Sequence, residues 1–589
     1  MKLSRLIVEN YRNFEKIDLK ISNMNVVFGI NDIGKTNLLS AIRMLLDPIC
    51  RRNGFVDSDY HLKDTSKNIR IVLGINIADE DDEDTKKIFA KTTVIRSNKD
   101  TLYISLVAKY NTENLFSEIY MSWGDDLENL EPMSINQQLR CDIDNIFNVI
   151  YIDSSIQLET VFKRYTRKLF QNANSLEESE KQNLKKCIKE LNSTISGIKL
   201  IEDFQNNLSK EYERYREEQL QIKIKSEVEI DNIYSKLIPY ISYQNGDTYP
   251  TAGDGRKKIV EYSILGMESR DIEKKKVNIF LIEELENHLH RSLQISLSFQ
   301  LFEDRLFRHM FITTHSSLIV SRMDNVSLIK LYNTNKVDGE SVEYIVPEKY
   351  KNNKAKLNTE LSEAIFAEKV LLVEGPSEKI LFERVLNDIY PKYECNSRYI
   401  LQVDGVSFKV YYDILEGLGI HCLIKTDNDL KYYENEGKIE FSGINRCVDI
   451  AKTSKINNDF INPKISKNEF DNERKTYQKA YFSKYTKEID ELKTKGLYLS
   501  KIDLENDLYE VIPETMDKYV SSVGGRSESI KYLQTAKRNR MVELCEKITK
   551  TDSEAIYNSD NFICIKEFIQ WVKSEINQLE NQYFQLKEI

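Results

Sequence analysis

The sequence is poor in the features that mark secreted, zinc-ribbon or membrane proteins. Its eight cysteines are widely spaced and none forms a C-x-x-C pair, which argues against zinc ribbons and a disulfide framework and fits a reducing compartment. No apolar leader follows the first residue, and no uninterrupted apolar run is long enough to cross a bilayer. We therefore expect a cytoplasmic protein without a membrane partner.

The chain also lacks an excess of positive charge. The formal net charge is -10, which disfavours a general nucleic-acid coat protein but permits DNA binding through a local basic groove. Hydrophobic residues make up 41% and charged residues 30% of the chain, as in soluble globular proteins. Because one core rarely exceeds about 250 residues, the 589 residues predict two to four domains.

Residues 155–243 lack the residues that break helices. Pro239 is their only proline and Gly197 their only glycine, whereas Glu, Lys, Gln and Leu are abundant. This composition predicts long amphipathic helices, arranged as an antiparallel insertion. The insertion is either a solvated arm or a dimerisation arm, and the sequence leaves both open.

The rest of the chain has a mixed α/β pattern. Residues 68–122 alternate apolar and polar side chains, as half-buried strands do. A polar loop at 348–356 resembles a linker. Strands are then predicted to alternate with helices, at 369–374, 377–389, 399–403, 407–417 and 421–426. This alternation predicts a parallel sheet, followed from about 430 by charged helices with one late strand near 496–502.

Residues 29–36 read GINDIGKT and lie between an apolar strand at 25–28 and a helix that begins at Lys35. Gly29 and Gly34 allow backbone N–H groups to turn around phosphates at a helix N-terminus. Lys35 would reach the β- and γ-phosphates, and Thr36 would ligate Mg²⁺. The segment therefore predicts an ATP site with one metal ion. The other candidate contacts are Asn31, Asn37 and Arg12, the last in a loop that fits against adenine.

An acidic pair follows about 250 residues later, where the apolar run 277–282 ends in Glu283 and Glu284. Glu283 would support the metal through water, and Glu284 would polarise the attacking water. The short strand 311–315 ends in His315, which is placed to contact a γ-phosphate. His288 and His290 are more often structural residues or dimer contacts than metal ligands.

Residues 253–258 read GDGRKK and precede a helix. This segment either grips the phosphates of a partner subunit's nucleotide or is an ordinary polar loop; the sequence favours neither. Together with residues 8–14, 280–290 and 313–316, these motifs resemble the split ATPase heads of the ABC, structural-maintenance and RecF-like class. Leu285 stands where those proteins often have proline, which predicts nucleotide binding with slow hydrolysis.

A second set of carboxylates lies downstream. Glu374 ends an apolar strand, and Glu378 follows one helical turn later. Asp427 and Asp429 end another strand and point to the same side. Because the carboxyl ends of parallel strands meet over one crevice, we expect the four side chains to converge. Hard oxygen ligands favour Mg²⁺ or Mn²⁺ over zinc.

The order of strand–Glu-Gly, strand–Asp-Gly (404–405) and strand–Asp-x-Asp resembles a Toprim domain. Residues 502–508, with Glu505 and Asp507, resemble the extra acidic motif of OLD-family (overcoming lysogenization defect) nucleases, and Lys537 is placed like their late catalytic lysine. The resemblance implies two metal ions and a lysine that stabilises charge on phosphate. The alternatives are an acidic helix N-terminus and a solvated lysine, with Lys531 as the competitor.

The resemblance covers nearly the whole chain, and its size and order look most like the Gabija-type nuclease subunits of phage defence. It implies an ATPase head at 1–345 with the insertion, a linker at 346–365, and a Toprim domain with a helical extension at 366–589. It further implies a nucleotide-regulated DNA endonuclease, a homodimer or tetramer joined through the ATPase half, and a helicase or retron-type partner encoded nearby.

Two other functions stay open on sequence. One is a non-catalytic, ATP-driven DNA clamp with a vestigial Toprim fold. The other is a topoisomerase-like strand passer, which needs a nucleophilic tyrosine that the 33 tyrosines do not exclude.

Overall fold

The structure, a computed structural model, describes residues 1–570 with several interruptions. The residues outside the description are 91–99, 136–139, 156–157, 172–177, 216–222, 224–239, 243–247, 251–252, 274, 304–306, 334–336, 405–406, 454–455, 457–458, 461–464, 525–527 and 571–589. Part of the predicted insertion and Gly405 therefore lie outside the described residues. No described helix is long and apolar enough to span a bilayer.

The first part of the chain contains fourteen described strands and eight described α-helices. In chain order they are β1 (Lys2–Tyr11), β2 (Phe14–Lys20), β3 (Met24–Phe28), α1 (Lys35–Leu46), α2 (Pro48–Arg51), β4 (Ile69–Asn76), α3 (Glu83–Phe89), β5 (Thr101–Asn111), β6 (Phe116–Gly124), β7 (Glu131–Pro132), β8 (Phe147–Ile152), α4 (Leu158–Gln171), α5 (Glu178–Ser196), α6 (Lys199–Tyr215), β9 (Tyr240–Ser242), β10 (Thr248–Pro250), α7 (Asp254–Glu273), β11 (Val277–Glu283), α8 (Arg291–Phe302), β12 (Met310–Thr313), β13 (Val326–Tyr332) and β14 (Asp338–Tyr344).

The second part is richer in helices. In chain order its elements are α9 (Lys354–Ile365), β15 (Lys369–Val373), α10 (Pro376–Ile389), β16 (Arg398–Gln402), α11 (Phe408–Gly417), β17 (His421–Thr426), β18 (Lys431–Tyr433), β19 (Lys438–Glu440), α12 (Ser442–Ala451), β20 (Asp459–Phe460), α13 (Lys467–Lys484), α14 (Thr486–Lys493), β21 (Leu497–Leu499), α15 (Leu504–Val511), α16 (Pro513–Ser522), α17 (Ser529–Thr535), α18 (Lys537–Cys545), α19 (Lys550–Asn558) and α20 (Ile563–Ile569).

Two six-stranded sheets build the first part. One is antiparallel, in the order β2-β1-β4-β5-β6-β7, and contains the strands predicted at 68–122. The other has the order β14-β13-β3-β12-β11-β8, and all its pairs are parallel except β13 with β14. The carboxyl ends of the neighbouring strands β3, β12 and β11 therefore share one edge, where the nucleotide motifs lie.

The predicted helical insertion is present where the structure describes it, as α4, α5 and α6. In the described part of α5 and α6 every side chain is exposed or half-exposed. Several of these side chains are large and apolar, and Leu200 and Phe204 are 77% and 57% exposed. The two helices thus present apolar residues that the described part of the chain does not cover.

The Toprim-like unit contains a four-stranded, fully parallel sheet in the order β16-β15-β17-β21. This confirms the predicted strand–helix alternation. Residues 431–460 differ from the expected all-helical extension, because they include a small antiparallel sheet, β18-β19-β20. That sheet is built from very short strands, which carry little periodic signal.

The segment predicted as a polar loop at 348–356 is instead helical. A 3-10 helix covers Glu348–Asn353, and α9 follows directly. Buried Leu357, Leu361 and Ile365 place α9 in an apolar cluster that contains residues of both halves of the chain. The predicted linker 346–365 is therefore largely a packed helix, because its charged residues occupy only the outer side of an amphipathic element.

Candidate functional site

The 29–36 loop has the geometry of a phosphate-binding loop. Gly34 has φ 107°, and a Cβ at this position would lie 2.0 Å from Asn13 Nδ2. The Lys35 ammonium donates hydrogen bonds to the carbonyls of Gly29 and Ile30, at 3.0 Å each. The lysine thus lies over its own loop, and its burial lowers the pKa of its ammonium while Glu284 opposes that shift. An anion bound in the loop would meet this cation.

Arg12 lies at the rim of the loop. Its guanidinium donates to Asn37 Oδ1 and to Asp59 Oδ1, both at 3.0 Å. Asn37 in turn donates to Asn13 Oδ1 at 2.9 Å. These contacts bring Arg12 and Asn37 together beside the loop, whereas Asn31 is exposed within it.

Glu283 and Thr36 meet at the start of α1. Thr36 and Tyr151 lie close enough to Glu283 to lower the pKa of its carboxyl, while burial raises that pKa and has the larger effect. Its Oε1 atom is buried without a hydrogen-bond partner among the described residues. The Thr36 hydroxyl and the unpaired Oε1 atom of Glu283 suit a magnesium ion with its water shell.

Glu284 follows β11 with φ 41° and accepts a hydrogen bond from Asn287 Nδ2 at 2.8 Å. Sequence reasoning missed Glu286, which accepts from Thr314 Oγ1 at 2.8 Å and from the His315 amide at 2.5 Å. Glu286 therefore orients the His315 loop. The motif around the acidic pair was a signal for it, since Glu286 is the next carboxylate in the chain.

The Glu284→Gln variant is expected to bind ATP with unchanged affinity but to hydrolyse it about a hundredfold more slowly, because the amide cannot polarise the attacking water. Phosphate release and nucleotide binding measured on the same preparation check this. The matched change Glu286→Gln should instead affect binding, through His315. Equal hydrolysis by Glu284→Gln and the unmodified chain would contradict the assignment.

His290 has the structural role that its type predicts most often. Its ring accepts a hydrogen bond from the Ser292 amide and caps α8, while His288 is exposed.

The 253–258 segment is the start of α7. Lys258 within it is buried and donates to the Ser154 and Asp153 carbonyls at 2.7 and 3.3 Å. Lys258 is therefore engaged within its own subunit, and a contact to a partner's nucleotide stays a prediction for the exposed residues before it.

The second candidate site lies at the carboxyl ends of β15 and β17. These strands pair in parallel with Val373 opposite Lys425, so Glu374 and Thr426 are neighbours, and the Thr426 hydroxyl donates to Glu374 Oε2 at 3.4 Å. Glu378 is buried at the start of α10 and accepts from the Gly375 amide at 3.2 Å. The strand register thus brings the two predicted strand ends together.

Asp427 is the residue on which the cluster converges. Loss of solvent raises the pKa of its carboxyl well above the usual range, and the charges of Glu378, Glu374 and Asp503 raise it further. Lys537 opposes this shift. Glu374, Glu378 and Asp503 therefore lie close enough to Asp427 to repel its negative charge. A bound cation would relieve this repulsion.

Glu505 and Lys537 join the same cluster from α15 and α18. Lys537 Nζ is 3.9 Å from Glu505 Oε1, and Lys537 is half-exposed. Glu505 is almost fully buried, and its Oε2 atom has no hydrogen-bond partner among the described residues. Lys531 instead forms an exposed ion pair with Glu528. Of the two candidate lysines, Lys537 is thus the one that lies at the carboxylate cluster.

Asp507, whose role as a metal ligand stays a prediction, is engaged within the chain. Its carboxylate accepts from Lys425 Nζ at 2.9 Å and from the Lys501 amide at 3.2 Å. Both partners of the ion pair are buried. Asp507 therefore fixes α15 against β17, and Asp503, which caps α15 and raises the pKa of Asp427, lies closer to the cluster.

Asp507→Ala is expected to lower the free energy of unfolding by about 3 to 5 kcal/mol, because it leaves Lys425 buried without its partner. Urea unfolding followed by circular dichroism measures this. The double variant Lys425→Met, Asp507→Leu should recover most of the loss. A stable Asp507→Ala variant that no longer binds Mn²⁺ would instead restore Asp507 as a direct metal ligand.

Arg446 on α12 was not predicted. Its guanidinium donates to Glu374 Oε2 at 3.1 Å and to Asp429 Oδ2 at 2.7 Å, and it also contacts the Thr426 hydroxyl. No local signal in the charged segment that contains it marks this position.

The donor set of this cluster fits a divalent metal that binds oxygen. It combines several carboxylates with a buried, unpaired Glu505 oxygen, and hard oxygen donors suit Mg²⁺ or Mn²⁺. Within the described ranges, no three such side chains already stand at coordination distance.

The fold and the two sites define a P-loop ATPase head joined to a Toprim unit. The family model described as "AAA ATPase domain" matches residues 1–320, and the model "Overcoming lysogenization defect protein-like, TOPRIM domain" matches residues 365–429. Endonuclease GajA of Bacillus cereus (strain VD045) is 40% identical over 579 residues, which cover 97% of this chain and 99% of that protein. The chain belongs to the GajA family of OLD-type ATPase–Toprim proteins, as its motifs predicted.

Two more distant similarities were found. A second endonuclease GajA, from Bacillus cereus (strain HuB5-5), is 22% identical over 469 residues, covering 72% of this chain and 63% of that protein. The solved SMC head domain from Thermotoga maritima covers 58% of this chain and all of its own, at 11% identity and a TM-score of 0.31. That score is too low to support an argument.

Proposed function

We propose that this chain is a divalent-metal-dependent DNA endonuclease that is regulated by nucleotide and acts in the cytoplasm in anti-phage defence. The observation that carries the proposal is that Glu374 and Asp427 follow adjacent parallel strands at one edge of the sheet, with Glu378 and Glu505 near Asp427 and Lys537 3.9 Å from Glu505. The similarity to endonuclease GajA along almost the whole chain supports it. Incubating the purified chain with supercoiled plasmid, with and without Mg²⁺ or Mn²⁺, tests it.

The residues divide the work of phosphodiester hydrolysis. Divalent ions, one or two when bound, supply charge that activates water and stabilises the leaving oxygen. Glu374, Glu378, Asp427, Asp429 and Glu505 would hold them. Lys537 is half-exposed beside Glu505, so its ammonium can reach the scissile phosphate and stabilise the negative charge that develops there.

Nucleotide control has a physical route between the two sites. His315, at the ATP site, stacks on Phe366 with ring centroids 5.6 Å apart, and Phe28, which precedes the phosphate loop, packs edge-on against the same ring. Phe366 ends α9 and lies three residues before β15. Binding of ATP with Mg²⁺ at Lys35, Thr36 and Glu283 would thus act on the strand that carries Glu374.

Assembly as a homodimer or a dimer of dimers would cover the apolar residues of the arm. Leu200→Glu with Phe204→Glu is expected to shift the chain to a smaller species, since two charges in an apolar contact oppose association. Light scattering at micromolar concentration measures the mass. The exposed change Lys199→Glu on the same helix is the control. An identical mass for the double variant and the unmodified chain would show that the arm is only solvated.

The partner set remains DNA together with a helicase or retron-type protein encoded nearby. The main alternative function is a non-catalytic DNA clamp. It predicts ATP-dependent DNA binding without any metal-dependent nicking, so the plasmid assay separates the two functions.

A further inference from the structure

Two cations flank the carboxylate cluster from different sides. Lys537 acts on Glu505, Asp427 and Glu378. Arg446 instead bonds Glu374 and Asp429, whose side chains are 41% and 48% exposed. The guanidinium therefore belongs to the more exposed part of the cluster.

Arg446 is delivered by a rigidly seated helix. A Cβ added to Gly443, one turn before it, would lie 2.5 Å from the Asp427 carbonyl and 2.7 Å from the Asp429 amide. The Gly443 amide donates to the Asp429 carbonyl at 2.9 Å. Asn445 exchanges hydrogen bonds with the backbone of Ile456 at 3.0 and 3.3 Å. Because α12 packs directly on the 427–429 backbone, the guanidinium is placed beside the carboxylates that follow β15 and β17.

The guanidinium takes only one oxygen from each carboxylate. It bonds Glu374 Oε2 and Asp429 Oδ2. In the part of the chain that the structure describes, Glu374 Oε1 and Asp429 Oδ1 accept no hydrogen bond. A planar fork that fixes one oxygen of each group also fixes the direction of the other.

We propose that Arg446 is a positioning residue of the cleavage site: it holds Glu374 and Asp429 in one arrangement that presents their second oxygens to the divalent ion, and its charge weakens binding of that ion. The inference rests on the proposed metal-dependent cleavage. Removing the guanidinium removes a competing positive charge and frees two carboxylates. The metal is then bound more tightly but in a less uniform geometry.

The test uses the full chain and measures Mn²⁺ binding by calorimetry without DNA. The binding that is lost in Asp427→Ala is the part that takes place at this cluster. Arg446→Gln is expected to bind Mn²⁺ about tenfold more tightly, because the variant lacks one nearby positive charge that repels the ion. At saturating Mn²⁺ its plasmid nicking should be at least about tenfold slower, because the orientation of the ligands is lost. Arg446→Lys keeps the charge without the fork, so its affinity should stay near that of the unmodified chain while its rate falls.

Arg474→Gln is the matched control, since Arg474 is exposed on α13 and pairs with Asp471. It should change neither affinity nor rate. Unchanged or weaker Mn²⁺ binding by Arg446→Gln, with an unchanged melting temperature, would overturn the inference. If Arg446→Gln melts early, Arg446→Lys decides: a rate equal to that of the unmodified chain would overturn it. If the unmodified chain shows no Mn²⁺ binding that depends on Asp427, the proposed function itself fails.

Discussion

Asp427→Ala is expected to reduce metal-dependent DNA cleavage by at least about a thousandfold, the scale of losing metal charge stabilisation. Asp427 is the residue whose carboxyl is acted on by Glu374, Glu378, Asp503 and Lys537 together. Its loss removes the carboxylate that lies between Glu374 and the residues of α15 and α18. Nicking of supercoiled plasmid in Mn²⁺, resolved on agarose gels over time, measures the rate.

The control for this variant is Asp413→Ala, which removes an exposed carboxylate on α11 that pairs with Lys409. It should cleave at the rate of the unmodified chain. Asp427→Ala should keep ATP affinity and melting temperature, because burial already opposes the ionised form of this carboxyl. Full cleavage by a Glu374→Ala, Asp427→Ala double variant would remove the cluster from the reaction.

Lys35→Ala is expected to weaken ATP binding by at least about a hundredfold, because a charge-assisted contact to phosphate is lost inside the loop. The Lys35 ammonium already lies over the carbonyls of Gly29 and Ile30, so a bound phosphate would meet it without rearrangement of the helix. Calorimetric titration with ATP and Mg²⁺ measures the affinity.

Lys409→Ala serves as the control, since this lysine is exposed and far along the chain from the loop. Its affinity for ATP should be unchanged. If Lys35→Ala binds ATP as tightly as the control, residues 29–36 are not a phosphate-binding loop. If Lys35→Ala loses ATP binding as expected, cleavage assays on it with and without ATP show whether nucleotide acts on the nuclease through this site.

The two motif regions were predictable because their signals are local. A strand buried on both faces reads as an apolar run, and a helix that follows a glycine loop reads as a periodic pattern. The strand predicted at 421–426 is His421–Thr426, and the helix predicted from Lys35 begins at that residue. Convergence of Glu374 with Asp427 followed from the rule that parallel strands end at one edge.

The contacts that the sequence could not predict are those with partners far along the chain. Asp507 and Glu505 lie two positions apart on α15, yet Asp507 faces Lys425, 82 residues away, and Glu505 faces the cluster. The acidic motif alone cannot assign them. The segment 348–356 is polar in composition, and only packing of α9 between the two halves makes it helical.

The sequence by itself determined the family, the order of the two halves and the class of chemistry, because phosphate loops and strand-end carboxylates are encoded within short segments. The tertiary structure decided which charges balance one another. Arg446 reaches Glu374 across 72 residues, and Phe366 meets both Phe28 and His315. Such contacts form only when α12 and α9 pack against sheets built from distant strands, and packing between distant segments leaves no periodic trace in the chain.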